Sequence, residues 1–126
     1  MTELIRALTE VLDPQRVLFE PEHLLTYGFD GTAALHGAAS VVALPRSTDE
    51  VVAIVRIAAQ RKIPIVSRGS GTGLSGGSVP VAVCIVLCLV QMDRILELDA
   101  KNLTLCAEAG VVTQKIAEAA DSMGLL

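Results

Sequence analysis

Arg68-Gly69-Ser70-Gly71-Thr72-Gly73-Leu74-Ser75-Gly76-Gly77 gathers five of the chain's ten glycines into one short segment. Glycine loses more backbone freedom on folding than any other residue, so such a cluster weakens a fold unless something must approach the main chain closely. Successive peptide N–H groups with no side chains in the way form a concave donor surface suited to phosphate oxygens. The segment therefore reads as a loop for the pyrophosphate of a nucleotide or dinucleotide. Gly71-Thr72-Gly73-Leu74-Ser75-Gly76 fits G-x-G-x-x-G, but a Rossmann fold needs a strand before that pattern and a helix directly after it. Ile65-Val66-Ser67 supplies the strand, whereas Ser78-Val79-Pro80 leads into Val81–Val90, an apolar run rich in β-branched residues. An ATP-type P-loop is excluded because Gly77 stands where that motif requires lysine. The loop thus joins strand to strand, and its donors come from the loop itself. A flexible glycine linker is the competing reading, but linkers seldom lie between two strongly apolar strands.

The residues before the loop form a compact βαβ pattern. Val41–Leu44 is a short strand, and Ser47-Thr48-Asp49-Glu50 has the spacing of a capping box with Ser47 at the N-cap. The helix that follows places Val51, Ile54, Val55, Ala58 and Ala59 on one face, and Arg61 and Lys62 suit its C-terminal dipole. Ile63–Ser67 returns as a strand, with a right-handed crossover expected. Earlier, Leu4, Ile5, Leu8, Val11 and Leu12 repeat with helical period up to Asp13-Pro14. Pro21–Tyr27 forms a second short helix stopped by Gly28, and Gly28–Ser40 reads as irregular. After the loop, Val81–Val90 is expected as a strand. Ile95–Asp99 and Leu103–Ala107 follow as two more, turning at Ala100–Asn102, before a helix over Thr113–Met123 with Gly124 at its C-cap. The fold class is α/β (α+β).

Composition narrows the function classes. A chain of 126 residues holds one domain at most, and 52% hydrophobic residues with mean hydropathy +0.56 is unusually apolar. With only Phe19, Tyr27 and Phe29 as aromatics, Val, Ile, Leu and Ala must fill the core, which suits buried parallel strands. It also suits a piece of a larger protein. The net charge of −4 argues against nucleic acid, which selects basic patches. Val81–Val90, the longest apolar run, is about half of what a helix needs to cross a bilayer, and Glu3 and Arg6 interrupt the N-terminus before any export signal. Cys84, Cys88 and Cys106 follow no zinc or disulfide spacing and read as small core hydrophobes, Cys84 and Cys88 on one strand face. His23 and His36 lack companion ligands, so no metal site is expected. No Ser-His-Asp order or paired carboxylates stand out, so no catalytic residue is assigned to this chain.

Val42-Ala43-Leu44-Pro45, Ser47–Val52 and Ile63–Gly77, with Glu108-Ala109-Gly110-Val111 and Met123-Gly124-Leu125 further on, carry a resemblance. The chain resembles the FAD-linked oxidase family with a FAD-binding domain of the vanillyl-alcohol-oxidase/PCMH type. Within it the chain is most similar to the branch of the glycolate oxidase FAD subunit and the D-lactate dehydrogenases. The resemblance implies the first half of such a FAD-binding domain over residues 41–126, preceded by a helical and irregular lead-in over residues 1–40. Gly124-Leu125-Leu126 reads as a helix exit feeding a further strand, so a truncated flavoenzyme lacking its substrate domain is expected.

The resemblance also implies a site. Backbone N–H groups of Gly69, Ser70, Gly71, Thr72 and Gly73, then those near Leu74, Ser75, Gly76 and Gly77, hold the FAD pyrophosphate, with hydroxyl help from Thr72 and Ser75. Pro45 lies near the adenine side, and Gly110 and Val111 begin a second segment approaching the flavin. Arg68 either lends charge to a phosphate or forms a structural salt bridge. Some members carry a histidine at the Thr72 position, bonded to the flavin; threonine implies FAD held non-covalently. Tyr27-x-x-Asp30 resembles a pattern found before the family's first strand, although Asp30 beside Gly31 also reads as a turn residue. The full enzyme would oxidise glycolate or a D-2-hydroxy acid such as D-lactate. It would pass electrons to an iron–sulfur subunit or a quinone-linked acceptor, in the cytoplasm or peripherally at the inner face of the membrane. The alternatives are another flavoenzyme of the superfamily, of the alkylglycerone-phosphate synthase or enolpyruvyl reductase type, and a standalone nucleotide-binding module without catalysis.

Overall fold

A computed structural model describes residues 1–32 and 34–125. Ala33, within the irregular Gly28–Ser40 segment, and Leu126, at the expected helix exit, lie outside the described residues. Helix α1 (Thr2–Val11) turns its Leu4 and Leu8 inward and stops at extended Leu12, just before Asp13-Pro14. Pro14–Arg16 then forms a 3-10 turn capped by the Asp13 side chain, and β1 (Val17–Leu18) and the short helix α2 (Pro21–Leu25) follow. Neither the turn nor β1 was expected. Two residues are too few for an alternating pattern to show in the sequence.

Four strands form the main sheet: β1, β2 (Val41–Ala43), β3 (Ile65–Arg68) and β4 (Ile85–Cys88). Their order is β1-β2-β4-β3, with β1 antiparallel and the rest parallel. The expected βαβ unit is therefore open in the middle. β2 and β3, joined by α3 (Thr48–Arg61), are not neighbours; β4 enters between them after the glycine loop. The central strands are buried on both sides, as parallel sheets require. On one face Val41, Ala43, Ile85 and Leu87 meet Leu8 and Leu12 of the α1 region and Ile54, Ile57 and Ala58 of α3. On the other, Val42, Val86, Cys84 and Cys88 meet Leu24, Tyr27 and Ala39 of the lead-in. Burying each large aliphatic side chain in these clusters stabilises by about 1.5–3 kcal/mol before chain entropy is set against it. The two cysteines share a face as expected. Cys106 is exposed instead of serving as a core hydrophobe.

Three further expectations need correction. The strand expected over Val81–Val90 occupies only Ile85–Cys88, because its partners offer three and four residues for pairing. Val81 and Val83 are exposed, and Val83 bends the chain at φ 54°. The inward stripe of α3 is Ile54, Ile57 and Ala58 with Val51 partly covered, while Val55 and Ala59 face solvent. The capping box is half formed. Ser47 Oγ accepts from the Glu50 amide at 3.2 Å, but the Glu50 carboxylate turns to Arg16 at 2.6 and 2.8 Å and to the Arg46 amide. A two-pronged guanidinium is a stronger partner than one backbone N–H.

Beyond the sheet, β5 (Ile95–Asp99) and β6 (Thr104–Ala107) form a separate antiparallel pair, turning at Ala100–Leu103. Helix α4 (Thr113–Asp121) follows, and Gly124 adopts φ 71° two residues past its C-cap. Gly110 joins this unit to the sheet. Its N–H donates to the Met92 carbonyl at 2.9 Å, and a Cβ there would collide with the Leu89 carbonyl. Among the described residues no helix is long and apolar enough to cross a membrane.

Candidate functional site

β3 ends at Arg68, and the chain then runs without regular structure to Cys84. This is the expected strand-to-strand loop. Among the described residues no backbone amide from Gly69 to Ser78 donates to a backbone carbonyl; the first that does is Val79, to the Gly76 carbonyl at 3.2 Å. Backbone donors left open in such number are an invitation to an anion. Gly69, Gly73 and Gly77 face open space, so bare main chain is presented there. Gly71 has a different reason to be glycine: at φ 77° a Cβ would be strained, and it would overlap the Arg68 guanidinium.

Arg68 is 7% exposed and does not form the salt bridge that one reading expected. No carboxylate pairs with it among the described residues. Its guanidinium is bound by carbonyls: Nε to Gly69 at 3.3 Å, Nη2 to Ser70 at 3.3 Å, Nη1 to Tyr27 at 3.2 Å and Phe29 at 3.0 Å. It also lies 5.3 Å from the centre of the Tyr27 ring. Gly31 N–H donates to the Gly73 carbonyl at 2.8 Å, stitching the lead-in to the loop a second time. Asp30 is a turn residue, as one reading had it, with Oδ1 accepting from the Thr32 amide at 2.7 Å; it is also buried. That bond chiefly holds its pKa below the ordinary aspartate value against the opposing cost of burial. The nearby amides of Gly76 and Ser78 help without reaching hydrogen-bond geometry, and Oδ2 finds no partner. Burial raises the thiol pKa of Cys88, whose Sγ lies 3.7 Å from the Gly69 carbonyl, so it is no thiolate nucleophile.

The loop forms one wall of a groove of about 400 Å3. Gly69, Ser70 and Thr72 line that wall, and Ala109–Thr113 with Val90 and Asp93 line the other. The second wall ends in α4, whose N-terminus has no side-chain cap. A wall of open loop amides, with apolar Val90, Val111 and Val112 in the same lining, suits a ligand that is part phosphate and part flat ring. A model of the FAD binding domain matches residues 39–126. The chain belongs to this FAD-binding domain family. Its cofactor is FAD, and the open amides of the loop fit a pyrophosphate.

Over 101 residues the chain is 41% identical to glycolate oxidase subunit GlcD of Bacillus subtilis, covering 80% of this chain and 22% of that protein. It is 41% identical over 103 residues to D-lactate dehydrogenase of Archaeoglobus fulgidus, covering 79% and 23%. Among solved structures, alkyldihydroxyacetonephosphate synthase superposes with a TM-score of 0.86 at 20% identity, over 98% of this chain and 25% of that one, which shows a shared fold. The chain spans about a quarter of the length of the relatives it matches. Of the residues singled out in the sequence, the groove of this FAD-binding domain brings together Gly69, Ser70, Thr72, Gly110 and Val111. Leu74–Gly77 continue the loop outside the groove lining, and Pro45 is fully buried at the end of β2. Val90, Asp93, Val112 and Thr113 were missed. Val112 and Thr113 at least follow directly on the flagged Gly110-Val111, but nothing in the local sequence marks Val90 or Asp93. His23 and His36 are exposed, and no cluster of metal-ligating side chains occurs among the described residues.

Proposed function

We propose that this chain supplies the pyrophosphate-binding part of a flavin-dependent oxidoreductase that converts a 2-hydroxy acid, of the glycolate or D-lactate type, into the 2-oxo acid. One observation carries the reading: Gly69, Ser70 and Thr72, from a loop whose amides find no backbone carbonyl as far as Ser78, line one wall of a groove that Gly110 and Val111 line from the other side. The names of the relatives support the substrate class, since one is a glycolate oxidase subunit and another a D-lactate dehydrogenase. The isoalloxazine ring, when FAD is bound, is the group that accepts the electron pair and hydrogen from the substrate carbon. This chain's residues bind and orient the cofactor. Loop amides from Gly69 to Gly77 take the phosphates, the Thr72 and Ser75 hydroxyls add to them, and Val90, Val111 and Val112 shield an apolar part of the ligand. Buried Pro45 shapes the adenine end from beneath, and Arg68 lends its positive charge from behind the loop.

Thr72, exposed on the loop, has no nitrogen with which to bond the flavin, so FAD is held non-covalently here. The hydroxy acid is bound and its protons are handled by residues outside this chain. Electrons leave to an iron–sulfur subunit or a quinone-linked acceptor, which places the enzyme in the cytoplasm or peripherally at the inner face of the membrane. Titration of the chain with FAD, followed by flavin fluorescence with ATP and NAD as controls, tests the cofactor reading. Saturable binding of FAD alone is expected, and all flavin should return to solution on acid precipitation. A preference for ATP or NAD would sink the reading.

A further inference from the structure

The loop is backed by opposite charges in its two halves. Behind Gly69–Gly71 lies the buried Arg68 guanidinium; behind Gly76–Ser78 lies the buried Asp30 carboxylate. A trans peptide points its C=O and its N–H in opposite directions. The carbonyls of Gly69 and Ser70 turn inward to Arg68, so the N–H groups of Ser70 and Gly71 turn outward. The Gly73 carbonyl accepts from Gly31, so the Leu74 N–H turns outward too. Thr72 presents its carbonyl oxygen to the same glycine, 2.9 Å from where a Cβ would stand, and so the Gly73 N–H also faces away. Four amides, those of Ser70, Gly71, Gly73 and Leu74, are thereby aimed to the side of the loop opposite the lead-in, with the Arg68 guanidinium behind the first two. The amides of Gly76 and Ser78, in contrast, lie close to a carboxylate that would repel a phosphate.

We propose that Arg68, Gly31 and Asp30 are positioning residues that divide the loop. The FAD pyrophosphate is taken by the amides of Ser70, Gly71, Gly73 and Leu74, and the Ser75–Ser78 half is a strap anchored on the lead-in. This rests on the FAD reading and narrows the site within it. Neither Arg68 nor Asp30 touches the phosphates. Arg68 acts by holding carbonyls inward, and Asp30 by excluding an anion from the second half.

The test is amide mapping on the full chain labelled with nitrogen-15. Without ligand, the Gly31 and Thr32 amides, which have acceptors, should exchange slowly, and those of Ser70, Gly71, Gly73 and Leu74 fast. Adding FAD should shift the resonances of those four amides well beyond those of Gly76, Gly77 and Ser78. Arg68→Met keeps the apolar stem but loses the donors; it should speed exchange at Gly31 and raise the Kd for FAD about tenfold, with Arg68→Lys recovering part of the loss. Should the methionine variant fail to fold, the native shift map still decides. FAD binding with shifts centred on Ser75–Ser78 overturns the division and leaves the cofactor reading standing. Silence to FAD with the same four amides answering inorganic pyrophosphate overturns the cofactor reading and keeps the division. Silence to both overturns both.

Discussion

The parallel sheet and the β5–β6–α4 unit are both regular, yet only the first has a core. Every residue of β2 and β4 is buried, whereas no residue of β5, β6 or α4 is. Their leucines and isoleucines look alike in the sequence. The difference lies in what covers them: α1 and α3 close one face of the sheet and the lead-in closes the other, while Leu96, Leu103, Val112 and Met123 stay open. Backbone hydrogen bonds shape the second unit, and hydrophobic burial stabilises the first. The groove lies on the seam between them, one wall from each, so the proposed cofactor site draws on the weaker unit as much as on the stronger.

This contrast is open to direct attack. Ile54→Ala, in the centre of the core, should cost about 2–5 kcal/mol in urea unfolding, since a fully buried isoleucine leaves a cavity that closes only partly. A loss near zero would mean that the sheet is not where stability resides. Glu50→Gln comes next, at about 1–3 kcal/mol, because it removes the charged partner of the largely buried Arg16 and weakens the bond from the Arg46 amide. The Arg16 hydrogen bond holds the Glu50 pKa below its ordinary 4.5, so this contribution is full above that value and fades as pH falls through the lowered one. The Tm gap between native and variant should accordingly be constant near neutrality and close in acid; a gap that widened in acid would refute the pairing. Ile116→Ala, half-buried on α4, should cost about 1 kcal/mol or less. A loss as large as that of Ile54 would show that the second unit has a core after all.

Much of this was legible in the sequence. Strong local signals survived: the glycine loop between strands, the helical period ending at Asp13-Pro14, the Ser47 cap, and the hairpin turn after Asp99. What failed was set by partners distant in the chain. Val81–Val83 has ideal strand composition but no neighbour to pair with, and Glu50 left its local role because Arg16 came within reach. β4's insertion between β2 and β3 is likewise invisible to any local window. At the site, the residues of the loop and of the Gly110 segment were readable from motifs. Arg68's partners were not, because carbonyl oxygens carry no sequence signature. Gly31's contact with the loop was hidden for the same reason: only the fold shows that it sits against the Thr72 and Gly73 carbonyls.

The strand order also bears on how the chain folds. Ile85 pairs with both Val41 and Ile65, so the central strand is the last of the four to leave the ribosome. Until it arrives, β2 and β3 have no common partner and α3 has only half a surface to rest on. Its arrival requires closing the stretch from Gly69 to Cys84, whose five glycines give it more freedom to lose than an ordinary connection of equal length. Contacts so far apart in sequence slow folding. The glycines that open the amide surface thus also set the pace at which the sheet closes.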